Sequence, residues 1–231
     1  MKKSVLASAI VLALSVSAVH AGDVIQINPD GAGVDPVLSV GSMDWSVGNA
    51  ISIGGVNAQV GDTFQTYAHA VLGGFVDGNG NPIGGINLNG PTAATNYEWT
   101  YVAGFQEIVN TSTGAAPLGQ QTFRTIAGGD NFFKIYYDAT PDANNLTGKN
   151  FDDGMLILSG TILPFNLATG EGGSSFDTTG GFVIDPVTGL PIFGDLDQFG
   201  INNYPDIVTP TGNGSSNLMV DVDFAHADFF L

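Results

Sequence analysis

One short segment of the sequence carries several oxygen-bearing side chains that could bind a metal ion. Asp77, Asn79 and Asn81 alternate with glycines, and carboxylate and amide oxygens are the ligands that calcium prefers. The segment opens like an EF-hand loop, but Pro82 stands where that loop needs glycine and Leu88 where it needs a bidentate glutamate. The residues therefore indicate either a calcium loop or a polar hairpin turn.

Two pairs of aspartates have a spacing that suits a strand. Asp195 and Asp197 form one pair and Asp221 and Asp223 the other, and two residues along a strand separate side chains on one face by about 6.5–7 Å. Such a pair either binds calcium or forms a solvated face. We take Asp221 and Asp223, with the Asp77 segment, as candidate calcium ligands. No cofactor is expected to be required, and calcium is the one candidate.

Three aromatic residues form a stripe. Tyr97, Trp99 and Tyr101 alternate with polar residues, which places their rings on one face of a strand. Rings in such a row can stack on sugars, so these residues are a candidate carbohydrate site. The alternative is that the stripe belongs to the core, where one face of each strand must lie.

Residue types used in catalysis are sparse. The chain has no cysteine, and two of its three histidines, His69 and His226, are far apart. The nucleophile elbow, zinc-protease and phosphate-loop motifs are absent. A carboxylate pair for glycoside hydrolysis can be drawn from 22 acids, but nothing selects one. We therefore expect a protein that is not an enzyme, with a secreted glycoside hydrolase as the catalytic alternative.

Composition excludes several classes of protein. Of 231 residues 12% are charged, with 22 acidic and 5 basic groups and a net charge of −17. So few Lys and Arg cannot displace counterions from phosphates, so nucleic acid is not an expected partner. Coiled coils and disulfide scaffolds are excluded by the scarcity of Glu, Lys and Arg and by the missing cysteine. A hydrophobic content of 43% also argues against disorder.

The first 21 residues have the pattern of a secretory signal peptide. Lys2 and Lys3 precede an apolar stretch over 5–18, and Val19-His20-Ala21 resembles a cleavage site. We predict a signal helix over 1–21 and one all-β secreted domain over 22–231, whose charge is 3 − 22 = −19. No second apolar run approaches 18 residues, so we expect no transmembrane helix in the mature chain.

The elements that must position these residues are strands. Alternating or apolar runs occupy 24–27, 97–101, 132–137, 155–163 and 217–224, and turn-forming residues separate them. No later window longer than about ten residues keeps a helical period. The pattern predicts an antiparallel, two-sheet, β-sandwich-like domain with long Gly/Asn/Asp-rich loops. Segments 73–84 and 180–194 resemble each other, through either a duplication of two halves or the convergence of two hairpins.

Phrases of the second half resemble a known family. They are NFFKIYYDAT (131–140), DANN (142–145), FDDG (151–154), LILSGT (156–161), DQFG (197–200), NNYP (202–205) and VDVDF (220–224). Together they resemble flocculation-associated PEP-CTERM proteins of Gram-negative, floc-forming bacteria.

This resemblance implies a secreted protein of the extracellular matrix or cell surface. Such a protein would promote aggregation, flocculation or biofilm formation by adhesion to exopolysaccharide or other surface components. The printed chain ends at Leu231 without the Pro-Glu-Pro, membrane helix and basic cluster of that family. We therefore expect either a continuation beyond Leu231 or a relative without the sorting tail.

Two further classes remain as alternatives. Acidic turns and aromatic residues together suit a Ca²⁺-dependent carbohydrate-binding module. Alternating strands with Phe230 near the end of the chain suit a small outer-membrane β-barrel. Only 6 Tyr are present for its aromatic girdles, however, and 11 Pro interrupt the long strands that it needs.

Overall fold

The computed structural model describes residues 11–12, 24–31, 33–55, 58–90, 95–113, 119–145, 147–177 and 213–231. Every regular element in these ranges is a β-strand, and all strand pairs are antiparallel, which confirms the predicted all-β class. The strands are β1 (Val11–Leu12), β2 (Ile25–Ile27), β3 (Leu38–Val40), β4 (Ser42–Trp45), β5 (Asn49–Ile53), β6 (Thr63–Val76), β7 (Pro82–Ile83), β8 (Glu98–Thr113), β9 (Gln120–Thr125), β10 (Phe132–Asp138), β11 (Met155–Ile162), β12 (Gly173–Asp177) and β13 (Asn213–Ala225). Within the described ranges, no helix is long and apolar enough to cross a membrane.

Several sequence predictions fall on residues that the structure does not describe. The predicted signal helix over 1–21 is among them, except for β1, which pairs with β13 through Val11–Met219 and Leu12–Leu218. The second copy of the repeated segment, 180–194, and the pair Asp195 and Asp197 also lie outside the described residues.

Two sheets form the fold, one of eleven strands and one formed by β2 and β3. The large sheet is a meander in which several long strands are interrupted. Strands β9 and β10 lie end to end along β8, and β11 and β12 lie end to end between them and β13. Strands β4 and β5 similarly follow one another along β6. Strand β8 therefore pairs with both β9 and β10, and strand β13 pairs with both β11 and β12.

Trp99 on β8 lies at the centre of the main core. Its ring contacts Phe75 edge-on at a centroid distance of 5.2 Å, and it lies 5.8 Å from Phe229 and 5.9 Å from Phe230. In the sheet, interrupted strands separate β8 from β13, after which Phe229 lies, so the large sheet must curl for these rings to meet. The small sheet contributes Ile27, Leu38 and Val40 to the same cluster. The two sheets thus both contribute to the main core, and they are very unequal in size.

A buried polar layer follows the main core along β6 and β8. Glu107 lies between Phe105 of the main core and Val109 of a smaller apolar cluster that also contains Ala58, Phe64 and Phe123. Thr66 Oγ1 donates a 2.7 Å hydrogen bond to Glu107 Oε2. Burial raises the pKa of Glu107, and the nearby Ser174 hydroxyl and the hydrogen bond from Thr66 lower it in part. Burial therefore makes the charged form of Glu107 less favourable in the folded protein than in water.

Candidate functional site

An open groove of about 420 Å³ lies where β9, β12 and β13 run side by side. Register pairs Arg124 with Gly173 and Gly173 with Asn217, so one row crosses the three strands. A second row consists of Thr122, Ser175 and Ser215. Directly paired residues of antiparallel strands share a face, and along β9 both rows alternate with buried Phe123. These two rows of the groove thus lie on the face opposite the core.

The chain between β11 and β12 is hydrogen-bonded to both neighbouring strands and places Phe165 against Arg124. Phe165 N donates a 2.9 Å hydrogen bond to Thr125 O, and Gly172 N donates a 2.6 Å bond to Asn217 O. Gly172 has φ +84°, and a Cβ there would lie 2.5 Å from Thr125 Oγ1 and 2.7 Å from Phe165 Cα. Glycine is required at 172 both by the backbone conformation and by the close approach of these strands.

Arg124 is held against Phe165. Its guanidinium carbon lies 4.7 Å from the centroid of that ring, within the range of a cation–π contact. Among the described residues, the guanidinium forms neither an ion pair nor a hydrogen bond. Five N–H donors are therefore available to a ligand.

The groove has a local charge opposite to that of the chain. Arg124 is the one charged residue in its described lining; the others are neutral and mostly carry hydroxyl or amide groups. Ser175 Oγ lies 3.1 Å from Ser215 Oγ, and Asn110 Nδ2 donates to Thr122 Oγ1 at 3.2 Å. Ligand pockets usually occupy about 300–1,000 Å³, so the groove is large enough for part of a sugar chain.

The predicted calcium segment forms the turn between β6 and β7. Asp77 Oδ1 accepts hydrogen bonds from Asn81 N at 2.9 Å and Asn79 N at 2.8 Å. The bond from Asn81, then that from Asn79, lowers the pKa of Asp77. Asp77, Asn79 and Asn81 are thus brought together, with the Asp77 carboxylate holding the turn through the chain's own N–H groups.

Asp221 and Asp223 lie on one exposed face of β13, as their spacing predicted. Thr161 Oγ1, on neighbouring β11, donates a 3.2 Å hydrogen bond to Asp223 Oδ2. The pair therefore forms part of a polar strand surface.

The aromatic stripe belongs to the core. Tyr97, Trp99 and Tyr101 are 1%, 0% and 7% exposed. Trp99 Nε1 donates to Pro29 O, and Tyr97 OH donates to Asp35 Oδ2, both at 2.8 Å. Burial, followed by the contact with Asp35, raises the pKa of Tyr97. No ring face is free for a sugar, which corrects the candidate carbohydrate site and supports the alternative interpretation.

One acidic cluster was missed in the sequence. In the described part of the chain, Glu98, Asp138 and Asp142 are the group whose oxygens, all within 4.8 Å of one another, could hold a metal ion. Glu98 Oε1 accepts 2.9 Å hydrogen bonds from the N–H groups of Asp142 and Ala143. Burial raises the pKa of Glu98, while these two bonds oppose the shift. The register of β8 and β10 pairs Tyr101 with Ile135 and Glu98 with Asp138, so knowledge of that register would have brought the two acids together.

The sequence did not lead to a prediction of the groove, although the rarity of basic residues draws attention to Arg124. Arg124 is one of three basic residues after position 21, with Lys134 and Lys149. Its neighbours Phe165 and Asn217 are distant in the chain, so no short motif connects them.

Comparisons with known proteins return no relative from which a role could be transferred. No family model matches the chain, and neither curated proteins nor solved structures contain a significant match. Fold and groove together define an acidic, all-β protein with a neutral-to-basic polar groove on its sheet.

Proposed function

We propose that this protein is an exported, non-catalytic adhesion protein of the matrix or surface of a Gram-negative bacterium. It binds exopolysaccharide through the groove on β9, β12 and β13 and thereby promotes aggregation, flocculation or biofilm formation. The observation that carries the proposal is the open groove itself, which is rich in hydroxyl and amide groups.

Its chemistry suits a carbohydrate ligand. Sugar hydroxyls both donate and accept hydrogen bonds, and the side chains of Ser175, Ser215, Thr122 and Asn217 do the same. Three adjacent strands span about 10 Å, so a sugar chain can contact several of these groups at once. Many weak contacts of this kind, repeated along a polymer, produce avidity without a deep pocket.

The same lining supports binding without turnover. Hydrolysis of a glycosidic bond needs a carboxyl pair, one group acting as acid and the other as base or nucleophile. The described lining of the groove carries no Asp, Glu or His. A polysaccharide held there meets donors and acceptors, but no group suited to move its protons at neutral pH.

Sequence features support the proposed location. The pattern of residues 1–21 is that of a secretory signal, and the phrases in the second half resemble matrix proteins of floc-forming bacteria. The charge of −19 on residues 22–231, 3 basic minus 22 acidic groups, keeps copies apart in solution and favours bridging by divalent cations inside a polymer matrix.

A pair of serine variants tests the groove. Ser215→Glu places a charged side chain in the groove, whereas Ser42→Glu places the same group at an exposed position of β4. We expect matrix polysaccharide on beads to retain the wild-type protein and Ser42→Glu, but to retain Ser215→Glu much less. Equal retention of both variants would contradict the groove as the binding site.

A deletion strain tests the biological role. Loss of the gene should reduce flocculation, and the wild-type gene should restore it where the Ser215→Glu gene does not. Unchanged flocculation in the deletion strain, together with no retention of the purified protein, would overturn the proposal.

A further inference from the structure

We infer that the groove recognises an acidic sugar, and that Arg124 binds the carboxylate of a uronate residue. This inference rests on the proposed function, because it names the ligand class of the same groove.

The unused donors of Arg124 are the first argument. Acidic groups outnumber basic ones by 22 to 5 in this chain, yet no described carboxylate pairs with Arg124. Its side chain is partly buried, so packing limits its freedom. A guanidinium with five donors and no acceptor among the described residues is suited to an anion from outside.

Phe165 supplies the second argument, because it packs against the guanidinium. The guanidinium carbon lies over the ring, 4.7 Å from its centroid. A contact with one ring limits the positions of the guanidinium and leaves N–H groups that point away from the ring available. A planar carboxylate matches such an edge with two parallel hydrogen bonds.

The surroundings of Arg124 supply the third argument. Ser175, Ser215 and Asn217 occupy the paired strands beside it and can bond the hydroxyls of the same sugar. No acid of the described lining opposes a carboxylate there. At physiological ionic strength the Debye length is about 8 Å, so more distant acids repel the ligand only weakly.

Lys134 offers a matched control for the charge. It also lies over an aromatic ring, with Nζ 5.3 Å from the centroid of Phe132, but it is outside the groove lining. Arg124→Gln and Lys134→Gln each remove one positive charge and one cation–π contact. Thermal unfolding of both variants should be measured first, to check that they are folded. Phe165→Leu keeps the charge of Arg124 and removes the ring that packs against it. This variant provides a second test if Arg124→Gln does not fold.

The experiment measures binding of the full chain to matrix polysaccharide before and after chemical reduction of its carboxyl groups. Reduction should abolish most binding, and oligogalacturonate should compete where oligogalactose does not. Loss of a charged bidentate pair should weaken binding of the native polymer roughly 10- to 100-fold in Arg124→Gln. Lys134→Gln should bind like the wild type, and Phe165→Leu should lie between.

The outcomes separate this inference from the proposed function. Equal binding to native and reduced polymer overturns the inference and leaves the adhesion role intact. Binding that depends on carboxylates but survives both Arg124→Gln and Phe165→Leu overturns the role of Arg124. No binding to either polymer overturns both proposals.

Discussion

Replacing Trp99 with alanine tests whether the aromatic stripe is core. Its side chain is 0% exposed, lies against three aromatic rings and donates a 2.8 Å hydrogen bond to Pro29 O. Truncating a buried tryptophan costs about 3–5 kcal/mol, and the Pro29 carbonyl loses its partner as well. In a protein of this size each kcal/mol lowers the melting temperature by about 2–4 °C, so we expect a decrease of about 6–20 °C.

Urea and thermal unfolding followed by circular dichroism measure this loss, with Leu167→Ala as the control. Leu167 is 81% exposed, and its truncation should change the free energy of unfolding by no more than about 0.5 kcal/mol. Polysaccharide binding, measured at a temperature where both variants are folded, should equal that of the wild type. The reasoning is refuted if Trp99→Ala loses less than about 1 kcal/mol while its binding disappears, because the ring would then be acting at the surface.

Three further substitutions test buried and strained positions. Burial raises the pKa of Glu107 from 4.5, so the stability that its protonated form contributes is present below the unfolded-state pKa and is lost as pH rises through the folded-state pKa. Glu107→Gln should therefore raise the free energy of unfolding at pH 7 and show a smaller gain near pH 4; urea titrations that find it less stable at pH 7 contradict this. Gly172→Ala should cost more than about 1 kcal/mol from positive φ and steric overlap, whereas Gly84→Ala, with open space around its Cβ, should be tolerated; equal melting temperatures for these two variants would argue against the strained loop. Asp77→Ala should lower stability above the unfolded-state pKa of 3.8, with the difference vanishing as pH falls through the lowered folded-state pKa, and calcium should shift the melting temperatures of variant and wild type equally; selective stabilisation of the wild type would show that the turn binds the ion.

Local patterns predicted some of the strands. The runs at 24–27, 97–101, 132–137, 155–163 and 217–224 overlap β2, β8, β10, β11 and β13, whereas β6 and β9, among others, were not predicted. The alternation at 97–101 correctly grouped three rings on one face, and their burial follows from the curled sheet. The pattern did not predict that the other face of β8 is also covered. The chain after β10 lies over Glu98 and Thr100 on that face.

The candidate site depended on pairing that local rules do not determine. Arg124 alternates with Phe123 and Thr125, so its outward direction could be predicted from the sequence. Its neighbours Gly173 and Asn217 follow from the register of β12 and β13, and Phe165 comes from a turn between two strand segments. Long-range register decides these contacts, and many registers fit the same alternation.

The distribution of acids makes ionic strength a sensitive test of how the groove works. Carboxylates such as Asp62, Asp77 and Asp138 accept backbone N–H bonds at turns, whereas the described lining of the groove contains no acid. Near 0.01 M salt the Debye length is about 30 Å and the whole charge of −17 repels an acidic polymer. Near 0.15 M it is about 8 Å, so Arg124 dominates, and near 1 M even that contact is screened.

Binding of an acidic polymer, measured in sodium chloride with a chelator present, should therefore pass through a maximum at intermediate salt. Arg124→Gln should lose the maximum and bind weakly, with a gradual rise as salt relieves the overall repulsion. Lys134→Gln should keep it, since its charge lies outside the groove lining. A wild-type affinity that falls steadily from the lowest salt concentration would contradict this reasoning. The attraction between Arg124 and the polymer would then exceed the repulsion from the net charge even at low salt, and the distribution of acids would not control access to the groove.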